Sequence, residues 1–332
     1  MTAVVTGAAG FIGSVLVRTL LQSGEHVVAV DREPVRATVP GLTVLTADLL
    51  DRDVRVCAAL ESADAVFHLA GCPGVRDRGR DVRRRRHRDN TRAAAAVLAA
   101  VPPRTPLVVT SSSSVYGGAS SGRPCAETDA LSPRGGYARS KHAVERLCQA
   151  RLRSHGTVAI VRPFTVAGEG QRPDMALAQW IAAARAGQPL RILGSPGRTR
   201  DVTDVRDLAR ALCCLATREV AGVVNVGTGV GRTLREMTLA VADVVGAEVT
   251  TCIRPASRHE AGDTLADTRL LKRLAGFVPH TDLREVVARQ VAARYGAAPE
   301  EAPGQGQGPT HGQAQGPTQG PTQGSGALVA AS

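Results

Sequence analysis

Eight residues near the start of the chain, TGAAGFIG at 6–13, leave few architectures open, because they stand directly between a strand-like apolar run at 2–6 and a helical pattern at 11–22. Gly7 permits a tight turn, Gly10 lets backbone approach a pyrophosphate, and Gly13 allows the helix to pack closely. The helix N-terminus adds amide donors and a favourable dipole. A glycine triplet alone also fits an ordinary turn. The strand–turn–helix setting, with Asp31 ending the second strand at nearly the expected distance, favours dinucleotide binding. Asp31 is expected to accept the adenosine ribose hydroxyls and repel a 2′-phosphate, selecting NAD over NADP, although Arg32 beside it leaves NADP open. Asp48, after the third strand, fits an adenine contact or a helix cap equally well. Phe11 and Ile12 at the helix start, with Leu49, Leu69 and Ala70 near later strand ends, complete the expected cofactor contacts.

Short apolar runs at 27–30, 42–45, 65–69, 107–110 and 158–161 alternate with helical patterns and turn residues, the signature of βαβ units feeding a parallel sheet buried on both faces. The expected fold is α/β, a Rossmann-type doubly wound parallel sheet of about seven strands with a smaller C-terminal α/β substrate-binding lobe. The nucleotide domain is expected over 1–163, with 197–222 returning to it. Residues 164–196 and 223–296 are expected to form the lobe, with helices near 175–186, 233–245 and 282–295, and a helix near 205–216 is expected in the returning segment. Beyond 296 the composition collapses into Gly, Gln, Pro and Thr with a repeated GPTQ, so 297–332 is expected to be disordered.

A net charge of +11 suggests anionic partners. Lys141 and Lys272 are the only lysines, however, so the excess looks as much like a bias toward Arg as a nucleic-acid surface. Seven scattered cysteines without C-x-x-C spacing argue against a zinc site or a disulfide framework. No apolar run approaches membrane-spanning length and the chain opens on a strand, which points to the cytoplasm.

Tyr137 and Lys141, within YARSK, stand four apart on a helical pattern and so share a face. A phenol with an ordinary pKa of about 10 is a poor base at neutral pH and needs a neighbouring cation, which Lys141 supplies. The spacing alone also suits an exposed helix pair. The serine run VVTSSSSVYG at 108–117, after a strand, makes chance coincidence a weaker explanation.

TGAAGFIG, VFHLAG, the serine run with VYG, YARSK, QRPDMA, TRDVTDVRDLARAL, NVGTG and TLADT together resemble the extended short-chain dehydrogenase/reductase family of NAD-dependent nucleotide-sugar epimerases and dehydratases, over residues 2 to about 295. The resemblance implies Ser112 as hydroxyl partner of Tyr137, Tyr137 as base, and Lys141 as its support and ribose contact. It implies Asn90 near the cofactor, Arg172 and Arg200 holding the uridine or diphosphate, Asp204 and Asp207 as local caps, and a homodimer through helices around 83–100 and 137–153. Family dehydratases carry an acidic pair directly after the catalytic Ser/Thr, where this chain has Ser113 and Ser114, and related decarboxylases usually keep a glutamate at Ser114. C4 epimerisation remains. The serines, Thr165 and QRPDMA are similar to the UDP-glucuronate 4-epimerase branch: Ser113, Ser114, Thr165 and Arg172 form a neutral-to-basic pocket suited to a C6 carboxylate. The same groups accommodate a hydroxymethyl, which keeps UDP-glucose 4-epimerisation open. UDP-glucuronate decarboxylation and a catalytically impaired NAD-binding regulatory protein are further alternatives.

Several positions depart from the resemblance. Ala167, within Val166–Gly168 where relatives commonly have VYG, and Val202 stand where relatives carry aromatics, and a diphosphate-binding R-x-G-D segment is altered, with Ser257 and Glu260 at its Arg and Asp and with Arg258 or Arg254 as substitutes. The stretch from Arg76 to Arg88 is more basic and less aromatic than in relatives. It is expected to be mainly a solvated face, with a substrate or subunit contact next and nucleic acid last.

Overall fold

Runs too short for helices and rich in Val, Leu, Ile and Ala become strands. The structure, a computed structural model, describes residues 1–35, 37–74, 79–119, 122–256 and 262–296. Its strands are β1 (Thr2–Thr6), β2 (His26–Asp31), β3 (Leu42–Thr46), β4 (Ala65–His68), β5 (Leu107–Thr110), β6 (Val158–Pro163), β7 (Thr165–Ala167), β8 (Leu190–Leu193), β9 (Thr199–Asp204), β10 (Gly222–Val226), β11 (Gly231–Thr233) and β12 (Thr251–Arg254). Seven of them build one parallel sheet in the order β10-β6-β5-β4-β1-β2-β3. The order reverses between β1 and β4, and in open α/β sheets ligands bind beyond the strand C-termini at such a switch point.

The helices are α1 (Phe11–Gln22), α2 (Val54–Ser62), α3 (Val82–Arg86), which continues through a π turn at His87–Arg92 into α4 (Ala93–Ala100), α5 (Gly135–Arg153), α6 (Ala176–Arg185), α7 (Val205–Thr217), α8 (Leu234–Val245), α9 (Arg269–Ala275) and α10 (Leu283–Tyr295). Strand side chains alternate between two cores, as the period of two requires. Ala3, Val5, Phe67 and Val108 meet Leu16 and Leu20 of α1 and Leu208 and Leu212 of α7 on one face. Val4, Val66 and Val109 meet Val56, Leu60, Val97 and Val144 on the other. Each fully buried aliphatic side chain contributes about 1.5–3 kcal/mol, so both faces of the sheet are strongly held.

β11-β9-β7 and β12-β8 form two small sheets. With α6, α8 and α10 they enclose a further core containing Leu177, Trp180, Ile192, Val202, Met237 and Val287. Ala167 and Val202, which stand where relatives carry aromatics, are both buried in this core. The helix expected at 233 begins at Leu234, because Thr233 is its N-cap in a reciprocal capping box with Glu236. The sequence reading named no strands beyond residue 163, yet six of the twelve, β7 to β12, lie wholly beyond it. They are short and half-polar, as in TRDVTD and GRT, so their periodicity is faint. Among the described residues no helix is long and apolar enough to cross a membrane, no acidic, His or Cys cluster suits a metal, and the cysteines are free. The expected disordered tail, 297–332, lies outside the described residues.

Candidate active site

At the end of β1 the Thr6 hydroxyl shares a 2.8 Å hydrogen bond with His68 Nδ1 on the neighbouring strand. Gly7 follows at φ +76°, and a Cβ there would lie 2.5 Å from the Ala70 nitrogen; one on Gly13 would lie 2.0 Å from the Gly7 carbonyl oxygen. Only glycine fits this turn. α1 then begins with Gly10 as N-cap and no side-chain cap, which leaves its first amides without a side-chain acceptor. Asp31 accepts from the Ala9 N–H at 2.9 Å and the Glu33 N–H at 3.0 Å. A cavity of ≈ 270 Å³ is lined by Gly7, Gly10, Asp31, Asp48, Leu49, Leu69 and Ala70 among others. Uncapped amides, a cradle that a Cβ would close and a carboxylate at the end of β2 fit the diphosphate and ribose of a dinucleotide. Phe11 and Ile12 are partly buried against the core beside this turn, and Phe11 Cδ2 stands 3.8 Å from where a Cβ on Gly170 would lie.

Of the two roles expected for Asp48, the α2 cap falls instead to Asp53, which accepts from the Arg55 N–H at 2.8 Å. Asp48 accepts from the Leu50 N–H at 2.9 Å and from Arg88 Nη2 at 2.5 Å. Burial works to raise its pKa, but those two hydrogen bonds together with the charges of Arg88 and Arg32 hold the group below its ordinary value. Arg32 pairs with Asp89, at 3.2 Å for each nitrogen.

Ser112 caps the 3₁₀ turn Ser113–Tyr116 that follows β5, accepting from the Ser114 N–H at 3.2 Å, and its hydroxyl lies close enough to Tyr137 to lower the phenol's pKa. Tyr137 and Lys141 project from one face of α5. Desolvation raises the Tyr137 phenol above its ordinary pKa, opposed first by the Ser112 hydroxyl and then by the fields of Arg172 and Arg86. Lys141 is buried, its Nζ donating to the Thr110 carbonyl at 2.8 Å. Burial pushes it down to about 8 against the opposing influence of Cys148 and Glu145. Asn90 sits in the π turn with its amide spent on protein: Oδ1 accepts from the Cys72 N–H at 2.6 Å, and Nδ2 donates to Ser140 Oγ at 2.8 Å. It thereby ties the loop after β4 to α5.

Ser114 Oγ is buried without a hydrogen-bond partner, the state of a hydroxyl that a ligand would satisfy. Thr165 pairs with Val202 across β7 and β9. Arg200, on β9, donates to the Gly262 carbonyl at 2.5 Å and the Thr199 carbonyl at 2.8 Å. Arg172 grips Asp174 at 2.8 and 2.5 Å. Asp204 caps α7, and Asp207 accepts from the His280 N–H at 2.9 Å. Arg76, Ser257, Arg258 and Glu260 lie outside the described residues, while Arg254 is exposed.

The arginine stretch divides. Arg83, Arg84 and Arg85 are exposed, as a solvated face would be, but Arg86 is buried and donates from Nη2 to the Gly74 carbonyl. Its Nη1 lies 2.8 Å from where a Cβ on Gly136 would stand, next to Tyr137. The expectation of a solvated face fails for Arg86 because it fills the space that Gly136 leaves. Sequence reasoning also passed over Glu145, although its spacing from Lys141 places it on the same helical face.

A model of the NAD dependent epimerase/dehydratase family matches residues 3–227. The uncharacterised UDP-glucose epimerase YtcB of Bacillus subtilis (strain 168) is 30% identical over 310 residues, covering 88% of this chain and 97% of its own. The structure of MoeE5 in complex with UDP-glucuronic acid and NAD is 37% identical, with a TM-score of 0.79 over 88% of this chain and 98% of that one. The UDP-glucuronic acid 4-epimerase from Bacillus cereus, solved in complex with UDP-glucuronic acid and NAD, is 28% identical with a TM-score of 0.81 and the same coverage. With the glycine turn, the seven-stranded sheet and these likenesses in agreement, the chain belongs to the NAD dependent epimerase/dehydratase family.

Proposed function

We propose that this protein inverts C4 of a nucleotide sugar, with UDP-glucuronate and UDP-galacturonate as the substrate pair. The observation that carries the reading is the grouping of Ser112, Tyr137 and Lys141, with Lys141 Nζ 3.7 Å from where a Cβ on Gly71 of the glycine-turn cavity would lie, in a site whose Ser112–Ser114 segment offers hydroxyls and no carboxylate. NAD, when bound, would supply a reversible hydride acceptor for C4, and inversion requires that the 4-keto sugar turn over in the pocket between the two transfers. Tyr137 takes the proton of the C4 hydroxyl and gives it back to O4 as the 4-ketone is reduced, and Ser112 steadies the phenolate with its hydroxyl. Lys141 supports the ribose and the charge of the site. Gly7, Gly10 and Gly13 hold the diphosphate, and Asp31 receives the ribose hydroxyls. Ser113, Ser114 and Thr165, with Arg172, receive the C6 carboxylate, and Arg200 the nucleotide. The orphaned Ser114 hydroxyl and the field of Arg172 at Tyr137 support an acidic sugar. The active form is taken to be a cytoplasmic homodimer pairing through the helices around 83–100 and 137–153.

The test is product analysis by NMR and mass spectrometry over a panel of UDP- and TDP-sugars with the purified protein and NAD. The expected result is C4 inversion of UDP-glucuronate. Release of carbon dioxide with a pentose product, or formation of a 4-keto, 6-deoxy sugar, would overturn the assignment, and equal turnover of UDP-glucose would remove the preference for the acid.

A further inference from the structure

Beneath the catalytic face lies an ionic network that the proposed chemistry does not itself use. Glu145 and Arg162 are each 3% exposed. The guanidinium grips the carboxylate in two places, Nε to Oε1 at 2.9 Å and Nη2 to Oε2 at 2.7 Å, while Ser111 Oγ donates to Oε1 at 2.5 Å. Arg162 Nη1 donates to the Tyr116 hydroxyl at 2.8 Å, and Tyr116 donates to Asn225 Oδ1 at 2.8 Å. One cluster thus joins α5, β6, β10 and the segment leaving β5.

Such a pair is weak evidence for stability, because the desolvation of two charges rivals their attraction and apolar residues of similar volume often serve as well. Its placement suggests another role. Tyr137, Lys141 and Glu145 follow one another on a single face of α5 and meet three consecutive residues at the end of β5. Lys141 holds the Thr110 carbonyl, Glu145 holds the Ser111 hydroxyl, and Ser112 stands near enough to Tyr137 to lower its phenol. We infer that Glu145, clamped by Arg162, is a positioning residue that sets the register of α5 against the end of β5 and so holds Ser112 and Tyr137 in reacting geometry. The inference rests on the reading of that pair given above. Misplacement by about 1 Å in a reacting constellation can cost ~10²-fold in rate.

Removing either partner alone strands a buried charge and threatens the fold, so the test uses the full chain loaded with NAD and carrying Glu145→Leu together with Arg162→Met. A second variant, Glu145→Asp, keeps the charge and shortens its reach. Two readouts go beyond thermal stability: turnover of UDP-glucuronate, and ultraviolet titration of the Tyr137 phenol. The titration is taken as the difference from the same protein with Tyr137→Phe, which removes Tyr116 and Tyr295 from the signal. The expected result is a folded double variant whose kcat falls ~10–100-fold with KM little changed. Its phenol should titrate at higher pH, because the Ser112 hydroxyl that lowers it is held less closely; Glu145→Asp should move the same way by less. Wild-type turnover and an unmoved phenol in either folded variant would overturn the inference. The titration needs no sugar substrate, so it decides the point even where the proposed epimerisation fails.

Discussion

Lys141 keeps its charge against its surroundings. It is 7% exposed and pushed down to about 8, whereas an unfolded lysine titrates at about 10.4. Between those values the unfolded chain holds the extra proton, so this group's contribution to stability rises with pH; below about 8 the full penalty for burying the ammonium remains, on the order of 3 kcal/mol. Loss of the hydrogen bond to the Thr110 carbonyl returns about 1 kcal/mol of that. Lys141→Met should therefore be more thermostable than wild type at pH 7, with the advantage shrinking as pH rises from about 8 toward 10.4, while turnover is lost. Thermal melts across that range check it; a variant less stable than wild type at pH 7, or a gap that widens with pH, would contradict it.

α1 shows the same coupling at the scale of an element. Gly13 lies inside the helix, and a Cβ there would sit 2.0 Å from the Gly7 carbonyl oxygen, a backbone atom that cannot swing aside. Gly13→Ala should open the turn and weaken NAD binding at least ~10-fold by calorimetric titration, whereas Gly24→Ala, with nothing within 4 Å, should leave affinity near wild type. If Gly13→Ala binds NAD like wild type, the turn is not the diphosphate cradle. This element was legible in the sequence down to its bounds at Phe11 and Gln22, because its apolar period, glycine turn and flanking strands agree. β7, β8, β11 and β12 were not legible: runs of three or four residues carry too little periodicity, and their pairing partners are distant in the chain. Tyr137 and Lys141 were legible as a pair because a spacing of four puts them on one face of α5, whereas Ser112 was named only through the resemblance. Arg86 was hidden in a run of like residues, since only the packing of α3 against Gly136 turns one of the four inward. Glu145 was hidden because its partners, Ser111 and Arg162, come from β-strand ends far from it in sequence.

In the molecule as a whole, the chain divides its labour between cores. The two faces of the large sheet fix the glycine turn, Asp31 and the Ser112–Tyr137–Lys141 constellation, while the core around Trp180 carries Arg200 and the strand paired with Thr165. Such an arrangement suits a reaction in which the cofactor stays fixed and the sugar presents first one face of C4 and then the other. Proton NMR of UDP-glucuronate turned over in D₂O follows that hydrogen directly. The product should be UDP-galacturonate with its C4 hydrogen retained and no deuterium at C5, since the hydride removed from C4 is the one returned, and folded Tyr137→Phe should be slower by ~10²–10⁴. Deuterium at C4 or C5, or unimpaired inversion by Tyr137→Phe, would contradict it.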